Sequence, residues 1–221
     1  MPAAPPTLEW ERELAAQGYQ VVAGADEVGR GALAGPVSVG IVIIEAGSAA
    51  ELPGVKDSKL LPGPARVALV PAIAAWARAS AVGHAQAHEI DALGIVGALR
   101  LAGTRALAAA AAGLTPDFVI LDGNHNWLAE PEQLDLFATG PLAPLPPWRI
   151  QTRIKADMTC LTVAAASVLA KVERDAIMAN LAVDFPAFGW DANMGYGTAT
   201  HKAAIAQLGP TDHHRKSWRL L

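Results

Sequence analysis

Gly24-Ala25-Asp26-Glu27-Val28-Gly29-Arg30-Gly31 decides how this chain is read. Two adjacent acids stand directly behind an apolar segment, Val21-Val22-Ala23, and directly ahead of a Gly-Arg-Gly turn. Carboxylates at the end of a buried strand lose hydration, and a divalent cation is the usual compensation. Gly29-Arg30-Gly31 offers unencumbered main-chain N–H groups and one guanidinium, which suits a phosphate or a sugar. Metal ligands beside a phosphate-binding turn point to phosphodiester chemistry. Side chains at consecutive strand positions face opposite ways, so Asp26 and Glu27 reach one site only where the strand twists or ends.

Outward from this stretch the pattern is that of a mixed α/β domain. Val21 to Ala25 and the β-branched run Val37 to Ile44 read as strands, with Ala79 to Ala87 as a third. Phe118-Val119-Ile120-Leu121 is a further short strand, and it too delivers a carboxylate, Asp122, at its C-terminal end. Ile150 to Ile154 alternates weakly, and Asp157 follows it. Helices are expected over Arg66 to Arg78, kinked or split at Pro71, over Glu89 to Ala112 with a stop at Gly113, over Thr159 to Leu181 with Thr159 as cap, and near Ala199 to Leu208. Prolines between residues 124 and 148 forbid sustained structure, although Pro131 to Phe137 has room for a helical turn or two. The domain reading is a tail over residues 1–19, then one catalytic domain over 20–221 whose last part, from about 186, is helical.

Composition sets limits on partners and compartment. No apolar run in the 221-residue chain reaches the roughly 18 residues a bilayer requires. The N-terminal Met1-Pro2-Ala3-Ala4-Pro5-Pro6 lacks the regions of a signal peptide. Cys160 is the one cysteine, which excludes an internal disulfide and a cysteine-rich zinc site. A cytoplasmic protein with no membrane partner is expected. Net charge is −4, unusual for a polyanion binder, but residues 151–221 hold 8 basic and 6 acidic side chains against 9 and 15 in residues 1–150. Nucleic acid is allowed where it docks locally, against the C-terminal third.

Asp26, Glu27, Asp122 and Asp157 form the chemical core of the reading. Carboxylates without histidine or cysteine select a hard ion, Mg²⁺ or Mn²⁺. Two such ions about 3.5–4 Å apart suit in-line displacement at phosphorus. As isolated residues, each acid reads equally as a helix cap or a solvated turn.

Six blocks in order resemble the ribonuclease HII family. They are Gly24 to Gly31 with Leu33-Ala34-Gly35-Pro36-Val37; Asp57-Ser58-Lys59; Leu121-Asp122-Gly123; Lys155-Ala156-Asp157 with Ala164 to Ser167 and Ala170 to Asp175; Gly195-Tyr196-Gly197-Thr198 with His201; and His214-Arg215-Lys216-Ser217. The resemblance runs from about residue 20 to 218 and implies an RNase H-like fold, a mixed central sheet flanked by helices. It implies cleavage of RNA in RNA–DNA hybrids and at single ribonucleotides embedded in duplex DNA, leaving a 3′-hydroxyl and a 5′-phosphate. It further implies that Asp26, Glu27, Asp122 and Asp157 are the catalytic metal-binding acids. Gly29, Arg30, Gly31 and Tyr196 would then read the 2′-hydroxyl at the junction, and Lys59 would contact phosphate. A monomer is expected, and with Leu221 so close to the last block, no tail for docking a sliding clamp.

The chain departs from the family pattern at Leu60 and Met194, where lysine is frequent, and at Ala156, where glycine is. Two missing lysines would flatten the salt dependence of binding. The stretch between Asp122 and Asp157 is longer than the family pattern suggests and reads as a surface loop. Ser58, Thr198 and Arg215 are weaker candidates for phosphate contact. Lys171, Arg174 and Asp175 read as a solvated helix face, and His125 as a loop histidine. His213-His214 lacks a third metal ligand, and Trp127, Trp148, Trp190 and Trp218 read as core or interface. A nuclease of the same fold acting on DNA junctions or long hybrids, and a non-catalytic nucleic-acid-binding domain, are the competing readings. Ribonuclease HIII would carry an N-terminal domain for which about 20 residues leave no room, and a dinucleotide enzyme is disfavoured by acids where a pyrophosphate would lie.

Overall fold

Val21–Val28 forms β1, and it is the centre of the molecule. A computed structural model describes residues 4–112, 114–129 and 148–221. The expected stop at Gly113 and the helical turn at Pro131 to Phe137 lie outside them. β1 pairs antiparallel with β2, Val37–Glu45, which pairs antiparallel with β3, Ala79–Ala85. On its other side β1 runs parallel to β4, Phe118–Asp122, and β4 parallel to β5, Arg149–Arg153. The sheet order is therefore β3-β2-β1-β4-β5, a mixed sheet with β1 in the middle.

One helical layer covers each face. Alternation along β2 sends Val37, Val39, Ile41 and Ile43 toward Ala98, Leu99, Ala102 and Ala106, on the helix Ala87–Ala110. Val42 and Ile44 face the opposite way, toward Leu161, Ala164, Ala165 and Val168 of the helix Leu161–Asp184. That second helix lies so close to the sheet that a Cβ on Gly40 would overlap the carbonyl of Ala166. The alanine run Ala164-Ala165-Ala166 serves the same close approach from the helix side.

In chain order the helices are α1 (Glu9–Ala16), α2 (Gly63–Trp76), α3 (Ala87–Ala110), α4 (Ala156–Thr159), α5 (Leu161–Asp184), α6 (Trp190–Asn193) and α7 (Ala199–Leu208). Helix α3 has the length and hydropathy of a membrane span, yet it breaks at Gly94, whose φ is +68°, and it seats one face on the sheet.

Three expectations need correction. Residues 9–16, expected within a tail, form α1, and its Leu8, Glu11 and Leu14 are buried. The Glu11 carboxylate accepts from the N–H and hydroxyl of Thr162 at 3.0 and 2.7 Å, capping the first turn of α5. Pro71 does not split α2, which continues through it. Thr159 does not cap the long helix, because Cys160 adopts extended backbone and bridges to Thr7. Thr7 receives Leu161 N–H at 3.0 Å and donates to Thr159 carbonyl at 3.2 Å, so α4 and α5 are separated there.

Candidate active site

Parallel pairing puts the C-terminal ends of β1 and β4 side by side, with Ala25 opposite Leu121. Asp26 and Asp122 follow these residues at the sheet's carboxyl edge, where ligands of α/β sheets bind. β1 does not end before the acids as expected; it carries both and stops at Val28. Asp26 is buried, and its Oδ1 accepts from Glu27 N–H at 2.8 Å. Asp157 arrives from α4, whose preceding residue Lys155 takes a left-handed φ of 59°. Asp122 Oδ1 fixes that turn by accepting from Ala156 N–H at 2.7 Å.

Asp26 feels the other three acids, and Asp122 acts on Glu27 and Asp157 as well. Burial, then Glu27, Asp122 and Asp157, hold the Asp26 carboxyl well above the usual carboxylate range. Burial also raises Glu27, against the pull of Arg30 at 3.3 Å, and raises Asp157 together with the charges of Asp122 and Asp57. Glu27 Oε2 is buried with no hydrogen-bond partner. Among the described residues no three carboxylates, imidazoles or thiols already close around one point. An all-oxygen donor set, one orphaned carboxylate oxygen and like charge only partly relieved by Arg30 and Lys59 fit a hard divalent cation.

Lys59 brings the counter-charge, standing 3.6 Å from Asp157 Oδ2 and 3.9 Å from Asp57 Oδ1 with most of its side chain in solvent. Asp57 is a fifth acid of the site that the sequence reading passed over. Its side chain caps the 3₁₀ turn of Ser58–Leu60 by accepting from Lys59 N–H at 3.0 Å. Ser58 is buried and bonded to Ser167 at 2.7 Å, which removes it from phosphate contact. Arg66 donates to the carbonyls of Ser58 and Leu61 at 3.0 and 2.7 Å and meets Asp175 at 3.4 Å. Asp175 in turn receives Lys171 at 2.6 Å, so these helix residues brace the Lys59 turn rather than forming a loose solvated face.

Gly29, Arg30, Gly31 and Tyr196 form a second group, joined to the first through Arg30 and Glu27. Two arginines, misread from sequence as a solvated residue and a phosphate contact, build it from below. Arg174 is fully buried and donates to the carbonyls of Pro36, Met194 and Ala34 at 2.9, 2.9 and 3.2 Å. Arg215, also fully buried, donates to those of Gly29, Arg30 and Gly35 at 2.6, 2.8 and 3.2 Å. Desolvation and the neighbouring Arg174 charge press Arg215 down to about 9. Gly29, at φ +83°, rests directly on the Arg174 guanidinium, and the Tyr196 ring lies 5.6 Å from the same group. Tyr196 is 38% exposed, so its face remains available.

The remaining candidates are structural. Thr198 caps α7 by accepting from His201 N–H at 3.3 Å, and Trp127 and Trp190 are core residues. His125 is exposed. Beside Asp157, Trp10, Arg153, Lys155, Met158 and Thr159 line an open groove in which Arg153 stacks 4.5 Å from the Trp10 ring.

Comparison with known proteins identifies the family. A family profile described as Ribonuclease HII matches residues 23–221. Ribonuclease HII of Streptomyces avermitilis is 47% identical over 222 residues, covering 100% of this chain and 87% of that protein. Ribonuclease HII of Cereibacter sphaeroides is 43% identical, covering 96% and 91%. The crystal structure of ribonuclease H2 from Pyrococcus horikoshii superposes with a TM-score of 0.67 at 26% identity, covering 90% of this chain and 94% of that one. The chain belongs to the ribonuclease HII family, a family of ribonuclease H enzymes.

Proposed function

We propose that this chain is a divalent-metal-dependent endonuclease that hydrolyses the RNA strand of RNA–DNA hybrids and cuts 5′ of single ribonucleotides in duplex DNA. The products carry a 3′-hydroxyl and a 5′-phosphate. One observation carries the reading: carboxylates that repel one another at the carboxyl edge of β1 and β4 stand beside a glycine turn whose Gly29 and Arg30 carbonyls are held by the buried Arg215. Asp26, Glu27, Asp122 and Asp157 would hold Mg²⁺ or Mn²⁺, two ions during turnover, which supply an activated water and charge stabilisation at the leaving oxygen.

The chain's own residues do the rest. Arg215 and Arg174 take up the inward-facing carbonyls of the 29–36 segment, leaving the main-chain N–H side of Gly29-Arg30-Gly31 for a phosphate or ribose. Tyr196 offers a ring face and a hydroxyl to the ribonucleotide, whose 2′-OH is the one feature that separates it from its DNA neighbours. Lys59 supplies a phosphate contact from the opposite side of the acids. The enzyme acts as a monomer in the cytoplasm.

Cleavage of three labelled duplexes tests this: one with a single embedded ribonucleotide, one RNA–DNA hybrid and one all-DNA. Metal-dependent cutting of the first two, mapped 5′ of the lone ribonucleotide, is the expected result. Cutting of all-DNA duplex, or of long hybrids only, would replace the proposal with the junction or hybrid nuclease. No turnover with either ion would favour a binding domain.

A further inference from the structure

His201 and His214 are buried outside the carboxylate cluster, at 0% and 1% exposure. Their hydrogen bonds fix both tautomers. Thr211 N–H donates to His214 Nδ1 at 2.9 Å, so the ring proton of neutral His214 is on Nε2. That proton points at His201 Nε2, 3.1 Å away, which also accepts from Trp190 Nε1–H at 3.0 Å. His201 therefore carries its proton on Nδ1, 2.9 Å from the Tyr196 carbonyl. All four ring nitrogens are committed with both rings neutral. A further proton on His201 Nε2 would confront two N–H groups, and one on His214 Nδ1 would displace Thr211 N–H and leave only the Thr211 hydroxyl, 3.0 Å away, as acceptor.

This chain of bonds ends at the residue assigned to ribonucleotide recognition. It also reaches the back of the glycine turn: Ala34 bridges to His214, and Leu33 and Ala34 N–H both donate to the Gly195 carbonyl, at 2.8 and 3.2 Å. We infer that His201 is a positioning residue for Tyr196, and that the neutral His201–His214 pair is an acid-sensitive latch on ribonucleotide recognition. The inference rests on the proposed contact between Tyr196 and the ribonucleotide.

The surroundings oppose protonation. Phe188 and Trp190 pack edge-on or tilted against both rings, and Met178 and Ala182 of α5 lie in the same apolar cluster. Lys216, and a proton on either neighbouring imidazole, His201 or His213, would oppose a proton on His214, while Asp212 is engaged by Lys216 at 2.7 Å. From α5 the facing charge is Arg174, bound to the Met194 carbonyl, and from the 211–217 segment it is Arg215. Desolvation, followed by the neighbouring imidazoles and Lys216, depresses His214 to about 4, and desolvation lowers His201.

Recognition is read as a ratio, the affinity for a duplex with one ribonucleotide over that for the same duplex in DNA, which cancels the general phosphate contribution. Anisotropy titrations in an Asp122→Asn background, which prevents cleavage, give this ratio between pH 8 and 4. In the His201→Leu variant the ratio should fall about tenfold at pH 8, one recognition hydrogen bond's worth, with the circular dichroism spectrum unchanged. His201→Asn keeps a side-chain N–H for the Tyr196 carbonyl and removes the ring through which protonation of the pair reaches Tyr196. It should hold the ratio at pH 8 and lose most of the decline seen in the parent toward pH 4. A folded His201→Leu protein with the parent ratio would overturn the latch. So would a His201→Asn protein whose ratio declines with acid just as the parent's does, and this arm decides the matter if His201→Leu does not fold. A parent ratio of one at pH 8 would instead remove the reading of Tyr196 itself.

Discussion

Gly29 and Arg174 occupy each other's space: the guanidinium lies where any side chain at position 29 would begin. The φ of +83° at Gly29 adds a second reason for glycine, since a left-handed backbone costs other residues about 1–2 kcal/mol. Gly29→Ala must displace Arg174 and weaken its bonds to Pro36, Met194 and Ala34. A loss of at least about 2 kcal/mol follows, lowering Tm by about 4–8 °C in a chain of this size. The same change should raise KM for ribonucleotide-containing duplex more than it lowers kcat. Calorimetry and steady-state kinetics check both, and an unchanged Tm would show that Arg174 has room to move.

Asp26 and Asp122 are predicted to separate stability from activity. Asp26 is buried among like charges and its carboxyl is raised, so ionisation is less favourable folded than unfolded. Its destabilising contribution is absent below the unfolded pKa, grows as pH rises toward the folded pKa, and is complete above it. Metal-free Asp26→Asn should therefore melt higher than the parent at pH 8, and the difference should shrink as pH falls. Asp122→Asn keeps an oxygen for Ala156 N–H and should fold normally. Both variants should lose cleavage by more than about 100-fold, the upper range for losing even outer support of a metal. Mn²⁺ should raise the parent Tm, by about 2.7 kcal/mol of added stability at 100 times its Kd, and EDTA should reverse it. An equal Mn²⁺ effect on Asp122→Asn would remove Asp122 from the metal site.

How much of this was legible in sequence depends on where the partners lie. The mixed sheet and the edge holding Asp26, Glu27 and Asp122 follow from apolar runs that end in acids, a local signal. Arg174 and Arg215 were misread because arginine is normally a surface residue. Nothing near either one says that it will satisfy carbonyls of the 29–36 segment, 138 to 186 positions away. Pro71 does not interrupt α2 because the carbonyl it frees lies on Val67, which is 58% exposed, where water can replace the lost bond. Asp57 looked like a loop residue because its role appears only when Lys59 is placed between it and Asp157.

Glu11 ties α1 to the first turn of α5, and its two oxygens are not equivalent. One accepts twice from Thr162, whereas Oε2 is buried without a partner. Burial raises its carboxyl despite the Thr162 bonds. Glu11→Gln keeps the acceptor without the charge and should be neutral or stabilising at pH 8. Glu11→Ala leaves the buried Thr162 hydroxyl and N–H unpaired, a cost of about 1–3 kcal/mol. Urea melts of the two variants at one pH separate these outcomes, and equal destabilisation would show that the charge itself matters.

Lys59 has two roles that pull in opposite directions, and one substitution resolves them. Its ammonium offsets the buried Asp157 and Asp57 from 3.6 and 3.9 Å, and because the lysine end is in solvent each pair contributes only about 0.2–1 kcal/mol. In Lys59→Ala the carboxylates lose that competitor, so Mn²⁺ affinity measured by calorimetry should rise, by no more than about fivefold. A phosphate contact disappears at the same time. The slope of log Kobs against log salt should shrink by about 0.9, equally for duplexes with and without a ribonucleotide. The recognition ratio should therefore stay constant while both affinities fall. Lys59→Arg, which keeps the charge, should restore the slope. A ratio that changes with Lys59→Ala would move this lysine from backbone contact to ribonucleotide reading, and an unchanged slope would leave it only the role of counter-ion to Asp157.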